Sequence, residues 1–130
     1  MATYPARQTG FQTVGYLRAP ITFAVGYTGV VQVGTLPAGC VVLRSYVVVK
    51  TAFNAGSTNT LKIGTVASDA SFGTSIALGT AGVITGGTAL ATATTVTPTV
   101  DTPVIATSVS TGSAMTAGAG EVVVEYLPVA

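Results

Sequence analysis

The run from Val41 to Phe53, VVLRSYVVVKTAF, alternates with a period of two, which commits the middle of the chain to a half-buried β-strand. Val41, Leu43, Ser45, Val47, Val49 and Phe53 fall on one face of an extended strand. Val42, Arg44, Tyr46, Val48 and Lys50 fall on the other, together with both charges, so the first face is the predicted core side. Leu36-Pro37-Ala38-Gly39 ahead of it reads as a turn, with Pro fixing φ and Gly free to take a positive φ. Asn54-Ala55-Gly56-Ser57 breaks the run, and Leu61-Lys62-Ile63 starts a return strand, so a hairpin is expected here.

The rest of the chain is also strand material. Ile21–Val25 predicts a short strand with Ile21, Phe23 and Val25 on one face, and Val30–Val33 begins the next. Val66 to Gly73 reads as a loop, or at most one helical turn capped by Ser68 or Asp69. Short strands are expected near 75–79 and 82–85, joined by tight turns. Thr92–Val100 is rich in β-branched residues, but Pro98 places it at an edge or ends it. Val104–Ser110 and Glu121–Leu127 are further strands; in the last, Val122, Val124 and Tyr126 should be buried and Glu121, Val123 and Glu125 should face outward. Thr, Val, Ala and Gly make up well over half of the 130 residues, which favours strands and turns over helices. About eight strands at regular spacing, with Gly, Pro and Asn punctuation, predict an all-β, single-domain antiparallel β-sandwich of jelly-roll or immunoglobulin-like type.

Residues 1–20 lack clean alternation and end at Ala19-Pro20. They read as an extended N-terminal arm ahead of a sandwich domain at 21–130. The arm carries Tyr4, Arg7, Phe11, Tyr16 and Arg18, residue types enriched where proteins meet. These five, with Arg44, Tyr46 and Lys50 on the outer face of the central strand, are the candidate subunit-interface residues.

Charged residues are only 7% of the chain, far below the roughly 25% usual for soluble domains. Such a surface suits a component of an assembly, where the folded state gains stability from neighbours. A net charge of +1 makes no electrostatic case for nucleic acid or an anionic membrane. No apolar run approaches the ~20 residues of a membrane-spanning helix. MATYPARQTGFQ at the start has no apolar core segment of the signal-peptide kind, so assembly in a cytoplasm is expected. The single Cys40 excludes an intrachain disulfide and reads as a small buried hydrophobe.

Catalytic chemistry is nearly absent from the inventory. There is no His, which removes Ser-His-Asp and Cys-His arrangements. Among the acids Asp69, Asp101, Glu121 and Glu125, the two glutamates share a strand face but stand roughly 13 Å apart, too far for a paired-carboxylate glycosidase. Asp69 and Asp101 read as solvated loop carboxylates, and the Asn54–Asn59 loop offers amide and hydroxyl oxygens without a carboxylate for Ca²⁺. No catalytic residue, cofactor or metal site is assigned, and no enzyme is expected.

LPAGCVVLRSYVVVKTAFNAGSTNTLKIGT, with the terminal AGAGEVVVEYLP, resembles the small all-β virion proteins of tailed bacteriophages, notably capsid decoration (cement) proteins. That resemblance implies a non-enzymatic structural protein that forms homotrimers on the outer capsid surface and bridges major capsid subunits to stabilise the head. The alternative is a receptor- or glycan-binding module, or another tail, fibre or vertex component. Its loops count against a binding module, because they carry mainly Gly, Ala, Ser and Thr, with Tyr27 and Phe72 isolated.

Overall fold

A computed structural model describes residues 14–26, 28–85 and 97–128. These residues hold eight strands: β1 (Gly15–Thr22), β2 (Val30–Leu36), β3 (Val41–Thr51), β4 (Thr58–Thr65), β5 (Gly73–Ala77), β6 (Gly82–Thr85), β7 (Thr102–Thr111) and β8 (Ala119–Leu127). One 3₁₀ turn, Phe23–Val25, follows β1, and no α-helix occurs among the described residues. The strands form two antiparallel four-stranded sheets, in the orders β1-β8-β3-β6 and β2-β7-β4-β5.

That order separates the two sandwich types left open by the sequence. Strand partners run first with last: β1 with β8, β2 with β7, β3 with β6, β4 with β5. A chain folded into one long hairpin and then rolled up produces this nesting, which is the jelly roll. Among the described strands only β4 and β5 are both consecutive and paired. Every other connection between described strands crosses from one sheet to the other.

The expected hairpin between β3 and β4 is therefore an arch: β3 lies in one sheet and β4 in the other. Asn59 closes the arch on itself, its Oδ1 accepting from the Ala55 N–H at 2.7 Å while its Nδ2 donates to the Ala55 carbonyl. Asn54 ties the arch to the β7–β8 connection, its Oδ1 accepting from the Thr116 and Ala117 N–H groups. Gly118 in that connection holds φ 148°, and a Cβ there would stand 2.4 Å from the Phe53 ring. Only glycine serves there, since both the backbone and the packed ring exclude a side chain. The turn ahead of β3 forms as expected, with the Cys40 N–H donating to the Pro37 carbonyl and Gly39 at φ 79°.

Leu36, Val47, Leu61, Ile63, Val104, Val122 and Val124 are fully buried between the sheets. Cys40 joins this core as a free, buried thiol, and burial pushes its pKa up. Three further sequence expectations need correction. First, the inward face of β3 is not one parity throughout. Ser45, Val47, Val49 and Phe53 are buried as expected, but Val42 is buried while Val41 and Leu43 are exposed. Val42 pairs with Tyr126 and Arg44 with Glu125, so Leu43 is the extra residue of a β-bulge, and the bulge switches the parity. Second, Gly15–Pro20 belong to the sandwich, not to an arm: they pair with β8, and Ala19 is buried. Third, Phe23 and Val25 do not continue a strand, because the 3₁₀ turn ends β1 at Thr22. Residues 86–96, which include the start of the expected Thr92–Val100 segment, lie outside the described residues.

Candidate subunit interface

The outer face of the β1-β8-β3-β6 sheet gathers most of the chain's sparse charge. Register brings the side chains into rows: Tyr16 of β1 opposite Glu125 of β8, which faces Arg44 of β3; Arg18 opposite Val123, which faces Tyr46; Pro20 opposite Glu121, which faces Val48. Lys50, at a second register shift of β3, is exposed and near enough to Glu121 to act on it electrostatically. The two strands that flank β8 thus present cations and tyrosines, and β8 presents carboxylates between them.

Each carboxylate is matched to an arginine on a different flanking strand. Arg18 Nε donates to Glu121 Oε1 at 2.5 Å. Arg44 grips Glu125 bidentately, Nε to Oε2 and Nη2 to Oε1, the latter at 3.1 Å. The Tyr46 hydroxyl donates to the same Glu125 Oε1 at 3.2 Å, and the Arg44 guanidinium lies 5.3 Å from the centre of the Tyr46 ring. Glu125 is only 7% exposed, an outward-facing residue roofed by its partners. Arg44 hydrogen bonds hold the Glu125 carboxyl below the usual carboxylate range, against the opposing effect of burial. Arg18 does the same for Glu121, with Lys50 adding a favourable charge. Burial and the neighbouring Glu125 push the Tyr46 phenol up.

Between the two tyrosines runs a shallow open groove lined by Tyr16, Arg18, Tyr46, Val48, Glu121 and Val123. Val48 and Val123 give it an apolar floor, and Arg18 and Glu121 a charged rim. Five of the eight predicted interface residues, Tyr16, Arg18, Arg44, Tyr46 and Lys50, thus converge on one sheet face. Tyr4, Arg7 and Phe11 lie outside the described residues. By sequence alone Tyr16 and Arg18 fall in an arm and Arg44, Tyr46 and Lys50 on a strand, and nothing local joins the two groups. Glu121 and Glu125 are not among the expected interface residues, although their outward placement on β8 is legible in the alternation.

The remaining polar groups hold the fold. Asp101, expected as a solvated loop carboxylate, accepts from the Ala38 N–H at 2.9 Å and so braces the turn before β3. Asp69 pairs with Lys62 at 3.3 Å. The Asn54 and Asn59 oxygens are engaged by backbone N–H groups of the arch and its neighbour. Glu121 and Glu125 are bound by separate arginines, which makes neither a free acid–base group. Among the described residues no cluster of three or more His, Cys, Asp or Glu could hold a metal ion.

No protein-family model and no curated protein matches the chain. Among solved structures, it is similar to a chain of the Cyanophage Pam1 capsid asymmetric unit, with 21% sequence identity and a TM-score of 0.66. The match covers 98% of this chain and 93% of that one, so both sheets and every described strand lie within it. At that identity the likeness is one of fold: the chain is a jelly-roll β-sandwich of the build found in a cyanophage capsid.

Proposed function

We propose that this protein is a non-enzymatic structural component of a bacteriophage virion, and specifically a decoration protein that binds the outside of the head and bridges major capsid subunits. The observation that carries this reading is the end-to-end fold likeness to a cyanophage capsid chain. Composition points the same way. Charge is scarce, His is absent, and most of the charge that exists is gathered on one sheet face with two tyrosines. In a repeating shell, modest contacts become collectively strong because each copy is held at several points. The protein acts as a homo-oligomer, a trimer in this reading, and stabilises the capsid by linkage: surface buried only in the assembled state favours that state.

The test is localisation and copy number in a reconstruction of the intact particle. Hundreds of copies in a regular external lattice are expected, whereas a dozen or fewer at a vertex or tail would select the alternative role. Capsid binding also depends, in this reading, on residues 1–13. Deletion must stop there, because removing residues through 18 would strip half of β1 from β8. The 1–13 deletion is expected to leave the fold intact and reduce occupancy on undecorated capsids in a sedimentation assay. Wild-type occupancy would remove the arm from the mechanism.

A further inference from the structure

The groove face has committed its own carboxylates and kept cationic donors in reserve. Glu121 and Glu125 are each bound by an arginine. Arg18 uses only Nε in its pair, and Arg44 uses Nε and Nη2, and both side chains remain about two-thirds exposed (63% and 64%). Lys50 is exposed and has no carboxylate within ion-pair distance among the described residues. Three cations against two carboxylates leave the face one positive charge in excess, with unspent N–H donors on Arg18, which lines the groove, and on Arg44 and Lys50 of β3 beside it.

A second copy of the chain is poorly equipped to satisfy them. Its acids are Asp69, Asp101, Glu121 and Glu125, and three of these are already in ion pairs. Asp101 spends one oxygen on the Ala38 N–H. Residues 1–13 bring Arg7 and no acid. Nucleic acid fits no better, since binding a row of phosphates draws on a run of unpaired cations and among the described residues of this face only Lys50 lacks an ion pair. We infer that the groove between Tyr16 and Tyr46 docks an extended, carboxylate-bearing polypeptide segment of a different protein, whose acidic side chains take the free donors of Arg18, Arg44 and Lys50. Apolar side chains alternating with those acids rest on Val48 and Val123, since an extended segment presents alternate residues to one surface.

This deepens the proposed shell role by naming the chemistry of the contact. It is tested on the isolated protein, so its failure and that of the capsid reading are told apart. The probe is a capped peptide of about eight residues alternating Glu and Val, titrated into ¹⁵N-labelled protein and compared with its Gln-for-Glu counterpart. Saturable shifts confined to Tyr16, Arg18, Tyr46, Val48 and Lys50 are expected, at least about tenfold tighter for the Glu peptide and weakening between ~20 and ~200 mM salt. Lys50→Gln should weaken binding roughly three- to tenfold and Lys50→Arg should restore it, with unchanged spectra showing both variants folded. Equal response to the two peptides, or no saturable shift on this face, would overturn the inference. So would tighter binding of a single-stranded oligonucleotide. Concentration-dependent shifts of the same residues in the protein alone, lost in Asp101→Asn, would assign the groove to a second copy instead.

Discussion

Glu125 carries more of this molecule's chemistry than any other single residue. It sits in the middle of a sheet, faces outward, and is nevertheless covered, because Arg44 and Tyr46 close over it. Its carboxyl and that of Glu121 both titrate below the usual range, first because an arginine donates to each. As pH falls through the ordinary carboxylate pKa of about 4.3, the unfolded chain takes up protons that these two groups still refuse in the native state. The unfolded state then binds more protons, and stability drops as pH falls further toward the depressed native values. Urea midpoints should therefore be nearly flat from about pH 8 to 5.5 and decline below about pH 4.5. Glu125→Gln, lacking that group, should show a shallower acid decline. An unchanged acid slope in the variant would mean that the Arg44 pair adds nothing to native stability.

At the scale of the element, β3 shows where alternation is a reliable guide and where it fails. From Arg44 to Lys50 the pattern contains charges and reads correctly, with Val47 and Val49 inward and Arg44, Tyr46 and Lys50 outward. Val41-Val42-Leu43 is apolar throughout, so nothing in it marks parity, and the bulge at Leu43 reverses the expectation. Mutation should expose the difference. Val42→Ala removes buried methyl groups and should cost about 2 kcal/mol, whereas Leu43→Ala, at a residue 42% exposed, should cost under about 1 kcal/mol. Chemical denaturation of the two variants reads this directly. The reverse ranking would mean that the bulge is absent in solution. Strand positions themselves were largely legible, since β-branched runs between Gly, Pro and Asn clusters mark β2, β4, β5, β6, β7 and β8. Strand partners were not: proximity along the chain suggested a β3–β4 hairpin, but the Asn54 and Asn59 hydrogen bonds turn that connection into an arch between sheets.

For the molecule as a whole, the nested pairing sets both folding and assembly. Gly15 pairs with Tyr126, so the first strand closes only when the last is in place. Closing such distant contacts costs chain entropy before packing offsets it, and all-β topologies of this kind fold in milliseconds to seconds. Stopped-flow refolding should accordingly show a main phase slower than about 1 ms, and a microsecond phase carrying most of the amplitude would contradict the nested order. The same closure builds the candidate interface. Tyr16 and Arg18 reach Arg44 and Tyr46 only because β8 lies between β1 and β3.

Composition and alternation by themselves determined an all-β chain of about eight strands, poor in charge and without the residues for common catalytic arrangements, because these follow from side-chain identity and a two-residue period. They also determined that Val122 and Val124 of β8 face the core, whereas Val123 and Glu125, expected outward, are covered by their neighbours and Tyr126 is only partly buried. Tertiary structure alone decided that the sandwich is a jelly roll, that Gly15–Pro20 belong to it, and that the scattered arginines and glutamates meet on one face. Each of those outcomes depends on which distant strand completes the hydrogen-bond ladder of another. Local alternation carries no information about that choice, which is made by the closure of the whole sandwich around one core.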